Sequence, residues 1–255
     1  MGTWISHLRI AENLLPHLPE VEPAAFIFGS LAPDSGLPNT DWTDFNPPKT
    51  VTHFLNAGEG EGCIRDMEFY RGYLAGLTPD GDKTAYSLRL GFFFHLVCDN
   101  LSALQIGMQT KSLYAGLFEE LGAVAAWDKV KADWYGLDHL YLEEHPESSF
   151  FSIYLRETTP QLGLPFIPQA AYEYMTGYIR EYYSPPPAKI NLERPFPYLN
   201  KAAMNRHIHL ISTALIGLAE KMRAGAFPLA EQTCLALMPE EMRQPIPPPL
   251  GDTLA

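Results

Sequence analysis

The stretch LGFFFHLVCDN, residues 90–100, sets His95 and Asp99 four residues apart inside an otherwise apolar run. Four residues make about one helical turn, so both side chains project from one helix face and can grip a single ion. With Phe92, Phe93, Phe94, Leu96 and Val97 around them, the pair belongs to a helix expected to be buried. A buried carboxylate needs a partner, because an isolated charge is expensive to take out of water. Two readings satisfy that need: a metal ion held by both side chains, or a hydrogen-bonded His–Asp pair within the core.

Other segments offer further donors. In GSLAPDSG, Asp34 directly follows Pro33 at the end of an apolar run, where a turn can aim a carboxylate inward or simply cap a helix. In KTVTHFLN, His53 stands in a loop among apolar neighbours, and in WISHLRIAENLL, His7 shares the apolar side of the first helix rather than that of Arg9 and Glu12. Nitrogen and oxygen donors without a thiolate suit catalytic zinc, and equally iron or manganese. A second pair, His139 and Glu143 in DWYGLDHLYLEEHPE, repeats the spacing as His-x-x-x-Glu. Glu144, His145 and Glu147 crowd around it, so a solvated acidic face is the alternative there. His207 and His209 are two apart and would point about 200° from each other on a helix, which rules out chelation of one ion. His17, between two prolines, has the weakest claim of the histidines.

The elements that must position these residues are helical. Ile5, Leu8, Leu14 and Leu15 mark an apolar face on a first helix that Pro16 and Pro19 should stop. The run AAFIFGSLAPD ends at a Gly and a Pro, and residues 37–62 read as loop, with NPPK and NAGEGEG as breakers. Helical periodicity resumes at about 63–77, 83–106, 112–122, 124–144, 167–183, 199–224 and 228–237. Alternating strand patterns and fixed-period repeats are absent. Residues 184–198, SPPPAKINLERPFPY, form a proline-stiffened connection, and the Pro-rich stretch beyond Pro239 should be extended and poorly ordered. The segment after 199 is one amphipathic helix that needs a surface to pack on. The expectation is a single all-α multi-helix domain over residues 1–238, followed by a Pro-rich tail over 239–255.

Composition bounds the partners. A net charge of -12 on 255 residues argues against a basic nucleic-acid surface, since phosphate contacts need clustered Lys and Arg. It leaves room for a phosphate ester bound through metal ions, whose charge dominates locally. Cys63, Cys98 and Cys234 are odd in number and scattered, so neither a disulfide framework nor a CxxC zinc pair can be built. The N-terminal residues lack the basic and apolar regions of a signal peptide, and no apolar run reaches the ~18 residues of a membrane span. A cytoplasmic, soluble protein is expected.

The order of these motifs has a family likeness. A His on an N-terminal helix, then GSLAPD, then THF, then His-x-x-x-Asp on a buried helix resembles the zinc-dependent phospholipase C family, over roughly residues 1–145. That family is all-helical and shares a superfamily with single-strand-specific nucleases. The resemblance implies that Asp34, His53, His95 and Asp99 hold one metal, that His7 holds a second with Asp99 bridging, and that His139 and Glu143 belong to a third. Zinc is the implied cofactor, and a small phosphate ester or a phospholipid the implied substrate. Two positions depart from the family pattern. Secreted members use the amine and carbonyl of a processed N-terminal Trp, whereas Trp4 here follows Met1, Gly2 and Thr3. The family also places a His shortly after the Asp of His-x-x-x-Asp, where NLSALQIG offers only Gln105.

The chemistry expected of such a site is phosphoester hydrolysis. A divalent cation lowers the pKa of its water toward neutrality, and a second clamps the phosphoryl oxygens. The resemblance gives Asp34 the added role of general base or water-orienting group. Histidine–aspartate phosphohydrolases are a rival, but they use an adjacent His-Asp, and Asp138-His139 runs in reverse. A non-catalytic helical protein that keeps a metal, or only its polar network, for stability or partner binding is the alternative from another class. Aromatic segments such as EYMTGYIREYY are read as core rather than as a ligand pocket.

Overall fold

The computed structural model describes residues 2–56, 62–184, 191–227 and 230–252. It is 63% helical, with a single two-stranded sheet among the described residues. The all-α expectation therefore holds.

The site is organised around helix α5 (Lys83–Ser102). Asp82 caps its N-terminus, accepting a hydrogen bond from the Ala85 amide at 2.9 Å. From Leu90 to Ser102 every side chain is buried, as a helix apolar on all faces must be. Helices α1 (Trp4–Leu14), α2 (Pro23–Gly29) and α9 (Lys201–Arg223) pack against it. The α2–α5 contact is backbone against backbone. A Cβ at Gly29 would stand 2.1 Å from the Leu88 carbonyl oxygen, and one at Gly91 would stand 2.4 Å from that of Phe26. Only glycine permits this approach, and it carries Ser30, just past α2, onto the site face of α5.

Two short segments complete the surroundings of that face. After α2 the chain makes a tight turn, Ala32–Asp34, then a two-residue pair of strands, β1 (Leu37–Pro38) and β2 (Phe45–Asn46), antiparallel with Leu37 opposite Asn46. Helix α3 (Lys49–Thr52) follows, with His53 as its C-cap. Helix α4 (Asp66–Phe69) widens into a π turn, Tyr70–Leu74, and α5 widens likewise at Ala103–Gly107 before α6 (Met108–Leu113). Helix α7 (Ala115–Glu144) breaks at Gly122, whose φ is 76°, and α8 (Gln169–Tyr183) precedes α9. The helices expected from about 124, 167 and 199 onward are α7, α8 and α9. None of the described helices is long and apolar enough to cross a membrane.

Three expectations need correction. The region 37–62 is not all loop, since it holds β1, β2 and α3. Phe150–Tyr154 forms a π turn that the periodicity did not predict. The stretch beyond Pro239 is ordered against the body through residue 252. Met242, Ile246 and Leu250 are buried there, and the Ile246 amide donates to the Gln105 carbonyl at 3.0 Å. Parts of other expectations lie outside the described residues: the Gly-rich breaker at 57–61, residues 185–190 of the proline connection, and residues 228–229 at the start of the predicted 228–237 helix, whose described part forms only a short 3-10 turn, Cys234–Leu237.

Candidate metal centre

Asp99 is the meeting point of four segments. Its Oδ1 accepts the Gly2 amide at 2.8 Å and lies 3.2 Å from His7 Nε2 on α1. Its Oδ2 lies 3.6 Å from His53 Nε2 and 3.9 Å from His95 Nε2. Asp34 joins from the turn after α2, with its Oδ1 3.4 Å from His53 Nε2. The His7 and His95 rings stack, with centroids 3.7 Å apart and planes within 11°. Donor atoms of His7, His95 and Asp99 form one compact group, and those of Asp34, His53 and His95 form another. The structure thus brings together His7, Asp34, His53, His95 and Asp99, with Asp99 reaching both sides.

The protonation pattern follows from what surrounds each ring. His95 Nδ1 lies 2.8 Å from the Ser30 carbonyl oxygen, which can only accept, so Nδ1 carries the proton. Burial, and after it the charge of His7, hold His95 well below the usual histidine range. The neutral ring therefore presents a bare lone pair at Nε2. That nitrogen lies 3.3 Å from His53 Nε2. Burial and then the Lys49 ammonium also lower His53, whose Nδ1 meets Thr52 Oγ1 at 2.9 Å. Burial opposes ionisation of Asp34 and Asp99, yet both stay well below the ordinary carboxylate value. Lys49 does this for Asp34, and adjacent positive charge together with the nearby His7 ring does it for Asp99. Burial disfavours a charged His7, but Cys98 and Asp99 raise it to about 10.

These features fit a metal ion. His7 Nε2 is buried and has no partner in line for a hydrogen bond, although a carboxylate oxygen is near. A Cβ at Gly2 would fall 2.7 Å from that same nitrogen, so the glycine leaves it room. Ligands about 2.0–2.1 Å from a tetrahedral zinc stand roughly 3.3–3.4 Å from one another. The separations of 3.3 Å for His95–His53 and 3.4 Å for His53–Asp34 match that edge length. A second ring nitrogen anchored on a backbone carbonyl, as in His95, is the usual support of a ligating histidine.

His139 and Glu143 are not part of this cluster. His139 is buried against Tyr183 and Tyr182, with ring centroids 4.9 and 5.5 Å away, while Glu143 is exposed. Burial pushes His139 down to about 4. The expected third pair is instead divided between core and solvent. Gln105 is also elsewhere: its Oε1 meets His207 Nδ1 at 3.0 Å and its Nε2 donates to the Met242 carbonyl. His207 is thereby a core histidine, as its spacing from His209 suggested.

No family model, curated protein or solved structure matches this chain.

A cavity of about 370 Å³ opens beside the cluster, with Asp34 and His53 at its floor and Lys49 and Lys131 on its wall. Trp4, Trp42, Tyr135, Tyr178 and Tyr182 supply much of the rest. Sequence reasoning assigned the α8 aromatics to the core, and Tyr172 and Tyr183 are buried there. Tyr178 and Tyr182, one turn apart, instead share the face that meets the cavity. It also missed Asp138, which accepts from Thr3 Oγ1 at 2.7 Å and from the Tyr183 hydroxyl at 2.6 Å. Thr3 is the N-cap of α1, so Asp138 fixes the start of the helix that carries His7 and the Gly2 amide beside it. Burial raises Asp138 to about 7 despite these donors. The Gly2 amide itself left no trace in side-chain patterns.

Proposed function

We propose that this chain is a metal-dependent phosphoesterase of phospholipase C-like type. The observation that carries the reading is the convergence of three imidazole Nε2 atoms and two carboxylates beside a cavity with two lysines. Asp34, His53, His95 and Asp99 would hold one ion, and His7 with Asp99 would share a second. Zinc suits this donor set, and iron or manganese could replace it. A bound cation would supply Lewis acidity and a water of lowered pKa.

The chain's own residues do the remainder. Asp34 is the carboxylate that reaches both the donor cluster and the cavity, and the cationic environment keeps it ionised. Its second carboxylate oxygen can hold an attacking water toward the substrate while Oδ1 faces the donor cluster and Lys49. Lys49 Nζ, 3.4 Å from Oδ1 and half exposed, offers positive charge where the phosphoryl oxygens gain negative charge. The Trp4 and Trp42 side of the cavity excludes water from one flank of the substrate. The test is hydrolysis of bis(p-nitrophenyl) phosphate by zinc-loaded wild type and by Asp34→Asn. Turnover in wild type that drops at least about a hundredfold in the variant supports the proposal. Absence of turnover across a panel of mono- and diesters would leave the non-catalytic reading in its place.

A further inference from the structure

The aromatic wall and the two lysines restrict what the cavity can accept. Trp4 is the hub of that wall, with ring centroids of Tyr135, Tyr178 and Tyr182 at 6.1, 5.9 and 6.0 Å. Trp42 closes the mouth, 4.5 Å from Tyr178, and stays 39% exposed. Its φ of 60° is uncommon for a bulky residue, and strain of this kind is found where function fixes a side chain. The hairpin around it is tied down, since Asn39 Oδ1 accepts the Thr43 and Asp44 amides at 3.0 and 3.1 Å. An exposed indole is thus held over an aromatic pocket.

An aromatic box can bind a quaternary ammonium or stack a neutral ring. Charge decides between them. Two ammoniums, Lys49 and Lys131, line the same cavity, and Asp34 is its one lining carboxylate. Asp34 is already committed to Lys49 and His53. Lys131 makes no ion pair among the described residues, and burial together with the Lys49 charge disfavours its protonated form. A cation would add to that repulsion, whereas a phosphate would relieve it. Size narrows the choice further. A cavity of about 370 Å³ lies at the small end of the ~300–1,000 Å³ range of ligand sites and cannot enclose a two-chain lipid.

We infer that the cavity selects a small phosphate ester carrying one uncharged planar ring, with Lys49 and Lys131 on the phosphoryl oxygens and Trp42 and Tyr178 against the ring. The inference rests on the phosphoesterase reading above and specifies its substrate class. Binding is measured by calorimetry on zinc-loaded protein with phenylphosphonate and methylphosphonate, whose P–C bonds resist hydrolysis, and with phosphocholine. Phenylphosphonate should bind about tenfold tighter than methylphosphonate, the worth of one aromatic stack. Trp42→Ala should bring that ratio close to one. Lys131→Gln should weaken both phosphonates several-fold and keep their ratio. Equal binding of the two phosphonates, or a preference for phosphocholine, overturns the inference. Parallel kcat/KM values for benzyl phosphate and ethyl phosphate, whose alkoxide leaving groups are alike, separate the two proposals. Turnover of both esters without ring preference would sink the inference and leave the hydrolase standing. Ring-selective binding without turnover of any ester would do the reverse.

Discussion

Helices α5 and α7 each carry a histidine and a carboxylate one turn apart, and they put the pairs to opposite uses. On α5, His95 and Asp99 are both buried, and Ser30, His53, His7 and the Gly2 amide all reach them. On α7, His139 faces the Tyr182 and Tyr183 rings with an unpaired Nε2, while Glu143 points to water. The spacing is identical and the difference lies in what surrounds each helix. A central helix has neighbours on every face, so polar groups on it must find partners from other segments. On a peripheral helix the boundary between core and solvent can fall within a single turn. Shared spacing makes two ligands possible; donors from other segments make a site.

The close contact of α2 with α5 offers the strongest way to break this comparison. Gly29→Ala would push a Cβ into the Leu88 carbonyl, separating the helices and drawing Ser30 from His95. Destabilisation of at least about 3 kcal/mol is expected in chemical denaturation. Gly116 on α7 has open space around its Cβ position. Gly116→Ala, in the first turn of α7, should be neutral or stabilising by up to about 0.5 kcal/mol, because alanine loses less entropy in a helix. Equal effects of the two substitutions would mean that the close approach at α5 does not organise the site.

The buried histidine on α7 supplies a pH signature. His139 falls from 6.5 to about 4 on burial, so the folded state binds fewer protons there. Its contribution to stability is complete above about 6.5 and is lost as pH falls from there through about 4. His139→Leu removes that term and the orphaned Nε2 together. The variant should match or exceed wild type at pH 7 by up to about 1 kcal/mol and lose less stability in acid. Melting temperatures between pH 7 and pH 4 give the answer. A variant with undiminished acid sensitivity would show that His139 is not the buried neutral group described.

The exposed half of the pair should matter least. Glu143→Gln is expected to shift stability by no more than about 0.5 kcal/mol and to leave metal content unchanged. A loss of bound metal in that variant would return the pair to the site.

Much of this arrangement was legible in the chain, for reasons the residues make plain. An unbroken apolar run around His95 and Asp99 forces burial, and burial forces partners. His7 kept company with apolar residues on α1, and Pro33 turned Asp34 inward. What could not be read depends on contacts between distant segments or on backbone atoms. The Gly2 amide and the Ser30 carbonyl have no side-chain signature. Lys49 and Lys131 look like ordinary surface lysines until α3 and α7 bring them to one cavity. Trp42 sits in a polar hairpin whose strands are two residues long, too short for an alternating pattern. Met242, Ile246 and Leu250 are buried from a largely non-helical stretch whose prolines suggest disorder.

The proposed metal centre rests on the α5 pair and not on the α7 pair. Elemental analysis of protein purified without chelators or a metal-binding tag tests it directly. Wild type and His139→Leu should each carry at least one equivalent of a transition metal, and His95→Ala should carry far less. A metal-free wild type whose melting temperature is unchanged by zinc or by a chelator would contradict the account and leave His95 and Asp99 as a hydrogen-bonded core.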